Sequence, residues 1–418
     1  MTDRSRPTVS DSASPRFEPA PWFALGFVSL LILAIPIGGP PPRWILLPAV
    51  LLAVATLVVA RTRNTDRWSR VAIWPVAILA ATASISITTS ALPGLAIERM
   101  APMAVYLLLV PIVQILCWSP IAIRTLGGVA IATLIALDAS TIADVAVKWS
   151  TEDAHWQYNR ITGPFGNPND LAVSALLLPI AALAFSDRHR IAGTFVVSLL
   201  AVPSWFASLS RQAFLGWIVA VVALLRPSPR RRRTWAIAAA GMVIATVTIA
   251  LNPMARSRVV ETIEGRDGGR SMLYVYGASL VMDRPLTGIG PTLFGEYYAK
   301  DALDGWRWRD TPLQKRGMPW VHSLPLEILV ETGIVGVTAF GIVMVGAVRR
   351  LRHDQDRSPD HRHLAWAASS GLVVIFVVGL VDLSFIKSWC HIVVWTTVGL
   401  AYAVPPRCAP VPKTSIEG

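Results

Sequence analysis

Apolar runs long enough to cross a bilayer recur along almost the whole sequence. A membrane-spanning helix needs roughly 17–25 apolar residues. Only 15% of the residues are charged, against about 25% in soluble proteins. Buried helices of a large soluble protein imitate one or two such runs, but not a dozen. The sequence therefore predicts an all-α polytopic membrane protein with about twelve transmembrane helices. The runs lie near residues 22–39, 44–60, 70–89, 100–118, 120–137, 169–186, 190–208, 212–226, 234–251, 323–348, 364–384 and 389–405.

The basic residues indicate which ends of the spans face the cytoplasm. With the N-terminus inside, more than half of the 38 Lys and Arg fall in the two tails and the inner connections. Such an excess is typical of cytoplasmic loops, so both termini are predicted to be cytoplasmic. The net charge of +12 then reflects topology beside membrane lipid. No motif of a nucleic-acid-binding fold accompanies it, so no nucleic-acid partner is predicted. The main basic connections are residues 61–70, 186–190, 226–233 and 349–363.

Two longer segments interrupt the short connections on the outer side. Residues 252–322 are polar, and SMLYVYGASLVM (271–282) within them has helical spacing that favours a helix on the membrane surface. Residues 138–168 form the second segment, and we expect the two to fold together over the outer face. The predicted organisation is a tail at 1–21, nine spans within 22–251 with the outer loop 138–168, a large partly helical outer loop at 252–322, three spans within 323–405 and a tail at 406–418.

The stretch VHSLPLEILVETGIVG (321–336) places three ionisable groups at the outer end of a span. Ser323 suits a helix N-cap, so His322 lies beside the positive end of the helix dipole, which disfavours imidazolium. A neutral imidazole is what a general base needs. Glu327 and Glu331 share a helix face, and either is a candidate to orient the histidine or to pair an arginine. The alternative is an interfacial histidine that merely caps a span.

Arginines and amides on the predicted outer side form a second group of candidates. Arg211 lies in a very short connection, where a charge is costly to hold; the alternative is that it snorkels to headgroups. Arg266 and Arg270 flank Asp267 and two glycines, which suits phosphate oxygens, or else they belong to a solvated loop. In NRITGPFGNPND, the candidates for sugar or phosphate contacts are Arg160, Asn167 and Asn169, although Asn169 or Asp170 also suits a helix cap.

The sequence lacks the motifs of nucleotide-binding and zinc sites. There is no GxxxxGK[ST] loop, TGIGPTLF lacks the GxGxxG spacing, and no His/Cys cluster has zinc spacing. No metal or cofactor site is predicted. Arginines with one histidine suit a substrate that brings its own leaving group, such as a lipid-linked pyrophosphate. Fixed arginines would stabilise the departing diphosphate, and a base would take the proton of the attacking hydroxyl.

The order of these features resembles the O-antigen ligase and polymerase superfamily of bacterial envelope glycosyltransferases. Members commonly carry a histidine, a small polar residue, nine residues and then Gly-x-x-Gly, as in His322, Ser323, Leu324–Thr332, Gly333 and Gly336. An arginine followed by a leucine four positions on also recurs, as in RQAFL from residue 211. The stretches GRSMLYVYGASLVMDRPLTGIGPTLF and GPFGNPNDLA resemble two further family segments.

The resemblance implies a GT-C-like fold in the bacterial inner (plasma) membrane, with a long periplasmic loop and an active site facing the periplasm. It implies a metal-independent, cofactor-free and inverting transfer of a glycan from undecaprenyl diphosphate. The acceptor is a lipid A-core sugar in ligases and another lipid-linked repeat unit in polymerases. Carried over by motif, His322 is the base, and Arg211 and Arg270 hold the diphosphate.

Three functions remain as alternatives. Ligase activity is placed ahead of polymerase activity, which shares the motifs. A transporter of polysaccharide or lipid-linked sugar should show charges or broken helices near mid-membrane, whereas the ionisable groups here cluster at the predicted outer boundary. Asp382, near the outer end of its span, is the main candidate exception. A non-enzymatic scaffold would make the placement of histidine and arginines a coincidence.

Overall fold

Helices make up every regular element of the part of the chain that the structure describes. The computed structural model describes residues 18–37, 41–150, 161–185, 189–208, 210–225, 260, 270–303, 320–352 and 359–404. Its α-helices are α1 (Pro19–Leu33), α2 (Arg43–Arg63), α3 (Trp74–Thr89), α4 (Pro93–Ala104), α5 (Leu109–Leu116), α6 (Pro120–Ser150), α7 (Val173–Ala181), α8 (Arg190–Leu200), α9 (Val202–Ser208), α10 (Arg211–Leu225), α11 (Arg270–Asp283), α12 (Phe294–Leu303), α13 (Leu324–Leu351), α14 (Pro359–Gly379) and α15 (Ser388–Ala403), with a short turn at Thr65–Trp68 and 3₁₀ turns between them.

Helices overlap every predicted span that the structure describes, although α6 continues past the run 120–137 to Ser150, into the segment predicted as an outer loop. Six helical stretches of those residues are long and apolar enough to cross a membrane: Pro19–Ile37, Arg43–Arg63, Pro93–Leu116, Pro120–Lys148, Leu324–Leu351 and Arg362–Gly379. Four shorter apolar helices match further predicted runs: Trp74–Thr89, Pro168–Ala184, Ala192–Ser208 and Arg211–Leu225. The predicted run 234–251 lies outside the described residues. The all-helical class is thus confirmed for the described residues, and the number of about twelve spans stays a prediction.

Apolar side chains cover the outside of the bundle as well as its core. One face of α2 exposes Leu47, Leu51, Val54 and Val58, each more than half accessible. These positions recur at helical spacing, so they form one stripe. A contiguous apolar stripe of this kind is unfavourable in water and favourable against lipid chains. In contrast, nearly every residue of α15 is buried, and this helix packs at the centre against α5, α13 and α14.

Helix α13 is interrupted at Gly333, whose backbone angles are φ 65° and ψ −168°. A loop formed by residues 285–291 packs against the interruption. It forms hydrogen bonds with backbone N–H and carbonyl groups of α13 on both sides of Gly333. The four hydrogen bonds are Ile289 N–H to the Val330 carbonyl (3.0 Å), Gly290 N–H to Glu331 (3.0 Å), Ile334 N–H to Pro285 (2.9 Å) and Val335 N–H to Leu286 (3.2 Å). At Gly333 the close neighbour of α13 is therefore this loop, and a Cβ there would lie 2.3 Å from the Leu286 carbonyl oxygen.

A second, smaller core holds α11 and α12 against the first part of α13, before Gly333. Leu273, Tyr276 and Leu280 of α11 are buried there with Phe294 and Tyr298 of α12. The Tyr276 hydroxyl donates a hydrogen bond to Asp301 (2.7 Å). The helix predicted over 271–282 is therefore confirmed as α11, and its packing fixes the position of Arg270 at its first residue.

Candidate active site

Asp382 is the point at which the candidate site residues meet. It follows α14 in the turn leading to α15, and its side chain is fully buried. Four side chains from three separate segments contact its two carboxylate oxygens. These are His322 through Nδ1, Asn169 through Nδ2 (2.7 Å), Trp320 through Nε1 (3.2 Å) and Arg270 through its guanidinium (3.3 Å). A buried carboxylate with this many donors is satisfied as an anion.

The charge of Asp382 determines which nitrogen of His322 carries a proton. Burial by itself raises the pKa of Asp382, but its hydrogen bond and electrostatic contact with His322 and the nearby charges of Lys387 and Arg270 outweigh it and lower that pKa below its ordinary value. An ionised carboxylate only accepts hydrogen bonds. The Trp320 indole nitrogen lies 3.2 Å from both Nδ1 of His322 and the carboxylate. Because the carboxylate can only accept from Nδ1, a neutral His322 carries its proton there, the indole N–H bonds to the carboxylate, and Nε2 keeps the lone pair. Nε2 is the atom that a general base uses.

His322 itself has a left-handed backbone, with φ 61°. This conformation is uncommon for a residue with a side chain, and such outliers cluster at functional sites. Ser323 occupies the N-cap position of α13 as the sequence predicts, but its hydroxyl makes no cap hydrogen bond; the backbone carbonyl of Ser323 accepts from Glu327 N–H (2.8 Å). The unusual φ turns the chain sharply just before the helix, and so directs the imidazole toward Asp382.

Asn169 contacts the same carboxylate and is in turn bonded to the residue just before Arg211. Ser210 precedes Arg211, the first residue of α10, and its hydroxyl donates to the Asn169 side-chain oxygen (3.1 Å). Asn169 in turn donates to Asp382. Asn167 caps the short turn Pro168–Ala172 by accepting from Asn169 N–H (3.0 Å). The capping residue is therefore Asn167, which leaves the Asn169 side chain to serve the site.

A lysine and an aromatic ring lie next to these contacts. Lys387 forms an ion pair with Asp170, and both side chains are nearly buried. Its ammonium group also lies 4.2 Å from the centre of the Trp320 ring. Because Trp320 donates to Asp382, this cation–π contact holds the indole that faces the carboxylate. Neither Lys387 nor Trp320 is among the site residues that the sequence predicts.

Glu327 and Glu331 are bonded away from His322, and the carboxylate beside the histidine is Asp382. Glu327 accepts a hydrogen bond from Phe385 N–H (2.7 Å). Glu331 accepts from Thr292 N–H (2.8 Å) and, weakly, from Phe294 N–H (3.5 Å). Each therefore fixes the backbone of a different loop against α13. Both also line an apolar cavity between α3, α4, α13 and α15. Their predicted part in binding substrate stays a prediction.

Two predicted residues, Arg160 and Arg266, lie outside the described residues. Among those described, the structure brings His322, Arg270 and Asn169 onto one carboxylate, with Arg211 at the adjoining helix start. Asp382 is not among the predicted site residues because it lies 60 positions from His322 in the sequence. Its only signal there was its position as a carboxylate near the predicted outer end of a span. The arrangement pairs an oriented imidazole with fixed cations at the ends of helices.

Comparison with known proteins supports the resemblance drawn from the motifs. A family model described as O-Antigen ligase matches residues 195–341. That segment contains Arg211, Arg270 and His322, while Asn169 and Asp382 lie outside it. A search of curated proteins finds no match.

Proposed function

We propose that this chain, which carries the O-antigen ligase match over residues 195–341, is a membrane glycosyltransferase of the ligase or polymerase type. In the form we favour, it moves a glycan from undecaprenyl diphosphate to a lipid A-core sugar hydroxyl on the periplasmic face of the inner membrane. The observation that carries the proposal is the contact of His322 and Arg270 with the same buried carboxylate, Asp382. It brings a base and a cation together from distant parts of the matched segment.

The proton transfer follows from the tautomer of His322. Nε2 accepts the proton of the acceptor hydroxyl as its oxygen attacks the anomeric carbon. The imidazolium that forms remains bonded through Nδ1–H to the Asp382 carboxylate, which stabilises the new positive charge. Asp382 is held in place by Asn169 and Trp320. It thus orients the ring and offsets its charge without taking the proton itself.

The departing group is the second requirement of the reaction. As the bond from the anomeric carbon to the diphosphate oxygen breaks, negative charge grows on that oxygen. Arg270, and Arg211 at the start of α10, supply guanidinium groups that suit paired phosphate oxygens. Attack from the side opposite the leaving group inverts the anomeric carbon. Arg266, Arg160 and Asn167 remain proposed contacts to the donor, and neither a metal ion nor a cofactor is part of the proposed reaction.

The test is transfer by the purified protein in lipid, given a diphosphate-linked glycan donor. A lipid A-core acceptor and a second lipid-linked repeat unit are supplied in parallel. Glycan on lipid A-core alone indicates a ligase, and lengthening of the lipid-linked glycan indicates a polymerase. Movement of the intact donor across the bilayer without bond formation would indicate a transporter and refute the proposal.

His322→Ala tests the base. We expect it to abolish transfer while donor binding and membrane insertion persist, because the base acts only in the chemical step. His189→Ala, which changes an exposed histidine at the start of α8, serves as the matched control and should leave transfer unchanged. Full activity of the His322→Ala protein would remove this residue from the mechanism.

A further inference from the structure

The loop between α14 and α15 carries two charged side chains of the candidate site. It consists of residues 380–387, with Asp382 near its start and Lys387 at its end. The start is fixed by α14, because Asp382 N–H donates to the Val378 carbonyl (3.1 Å). His322 belongs to a different element, the entry to α13. The separation between the histidine and its carboxylate therefore depends on how the loop is attached to α13.

Phe385 attaches the loop to α15 through its backbone and its ring. Its carbonyl bonds with Nε2 of His391 (2.6 Å). Since Nδ1 of His391 accepts from the Trp395 indole (3.1 Å), Nε2 is the donor, and this histidine is neutral with both nitrogens used. The Phe385 ring stacks on His391 and on Trp395, with centroids 4.7 Å and 5.4 Å apart. These contacts attach the loop to α15.

Glu327 supplies the attachment to α13. Its side chain is 2% exposed, and one carboxylate oxygen accepts the Phe385 N–H (2.7 Å). Glu327 lies in the first turn of α13, five positions after His322. The bond thus joins the helix entry that carries the histidine to the loop that carries Asp382 and Lys387.

We infer that Glu327 is a positioning residue that sets the spacing of His322 and Asp382 by holding Phe385 of the 380–387 loop. The inference rests on the proposed transferase function. The oxygen of Glu327 matters here as a hydrogen-bond acceptor, so a neutral amide oxygen in the same place serves equally. A displacement of about 1 Å in a catalytic group can lower a rate about 100-fold.

The experiment compares two substitutions at one position. Glu327→Gln keeps an acceptor oxygen, and Glu327→Met keeps the length without an acceptor. We expect Glu327→Met to lower kcat about 10- to 100-fold with little change in KM for the lipid-linked donor, and Glu327→Gln to restore kcat to near the wild-type value. Hydrogen exchange in residues 380–387 should quicken in the Met protein and return to normal in the Gln protein.

Glu331→Met is the matched control. It removes an acceptor one turn further along α13 that holds Thr292, so it should quicken exchange around residues 290–294 and leave residues 380–387 unchanged. Wild-type kcat in Glu327→Met, or equal losses in the Met and Gln proteins, would overturn the inference. If the Glu327→Met protein does not fold, Glu327→Asp is used instead, because its side chain is one methylene shorter and its oxygens lie further from Phe385 N–H. A wild-type kcat in Glu327→Asp would also overturn the inference. An inactive wild-type protein would instead contradict the proposed function.

Discussion

Replacement of Asp382 by asparagine tests whether the histidine depends on its buried partner. The substitution keeps the size of the side chain and removes its charge. An amide can present its NH₂ group to Nδ1, which would reverse the tautomer and leave Nε2 without a lone pair. Even with the oxygen facing the ring, the imidazolium formed in the reaction loses its counter-charge. Asp382→Asn should therefore act on the chemical step.

The size of the effect follows from the charge that is lost. Two unit charges about 4 Å apart attract by about 4 kcal/mol at an effective dielectric constant near 20. Nδ1 and the carboxylate are in direct hydrogen-bond contact, so this separation is a conservative choice. Since about 1.4 kcal/mol corresponds to a factor of ten, we expect kcat to fall about 1000-fold. KM for the donor should not rise, because Arg270 is released from Asp382 to face phosphate.

The assay is single-turnover transfer with purified protein, in the wild-type and His322→Ala backgrounds. If Asp382 acts through His322, its replacement costs much less when the histidine is already absent. Asp138→Asn is the control, because Asp138 is another buried carboxylate, bonded to Ser204 in α9. The reasoning fails if Asp382→Asn keeps more than about a tenth of kcat, or if its effect is the same in both backgrounds.

Two further outcomes are expected. Arg270→Gln should raise KM for the diphosphate donor about tenfold or more. Arg270→Lys should restore only part of the donor affinity, because an ammonium lacks the two-pronged guanidinium geometry. Unchanged donor binding in Arg270→Gln would exclude a role of Arg270 in holding the diphosphate. Gly333→Ala should destabilise the protein by about 1–3 kcal/mol, since φ is 65° and a Cβ would lie 2.3 Å from the Leu286 carbonyl oxygen, whereas Gly341→Ala meets nothing within 4 Å and should be neutral in thermal unfolding.

Local signals in the sequence predicted the elements, and long-range packing decided the site. Helix α11 was predictable because its apolar spacing is a property of neighbouring residues, and the start of α13 was predictable because Ser323 suits an N-cap. The contact between His322 and Asp382 was not predictable, since it depends on how α13 packs beside α14. Glu327 and Glu331 were candidate partners of His322 because they are near it in sequence. In the helix, however, their side chains face the loops that contain Phe385 and Thr292. The glycine at 333 signalled a close approach without showing which segment approaches.

The interrupted helix α13 has a mechanical consequence. Its first segment begins beside His322 and ends at Gly333, where the loop 285–291 is joined to α13 by backbone bonds on both sides of the break. That loop directly continues the helix that starts with Arg270. A rotation of either piece is therefore transmitted to the other through this common joint.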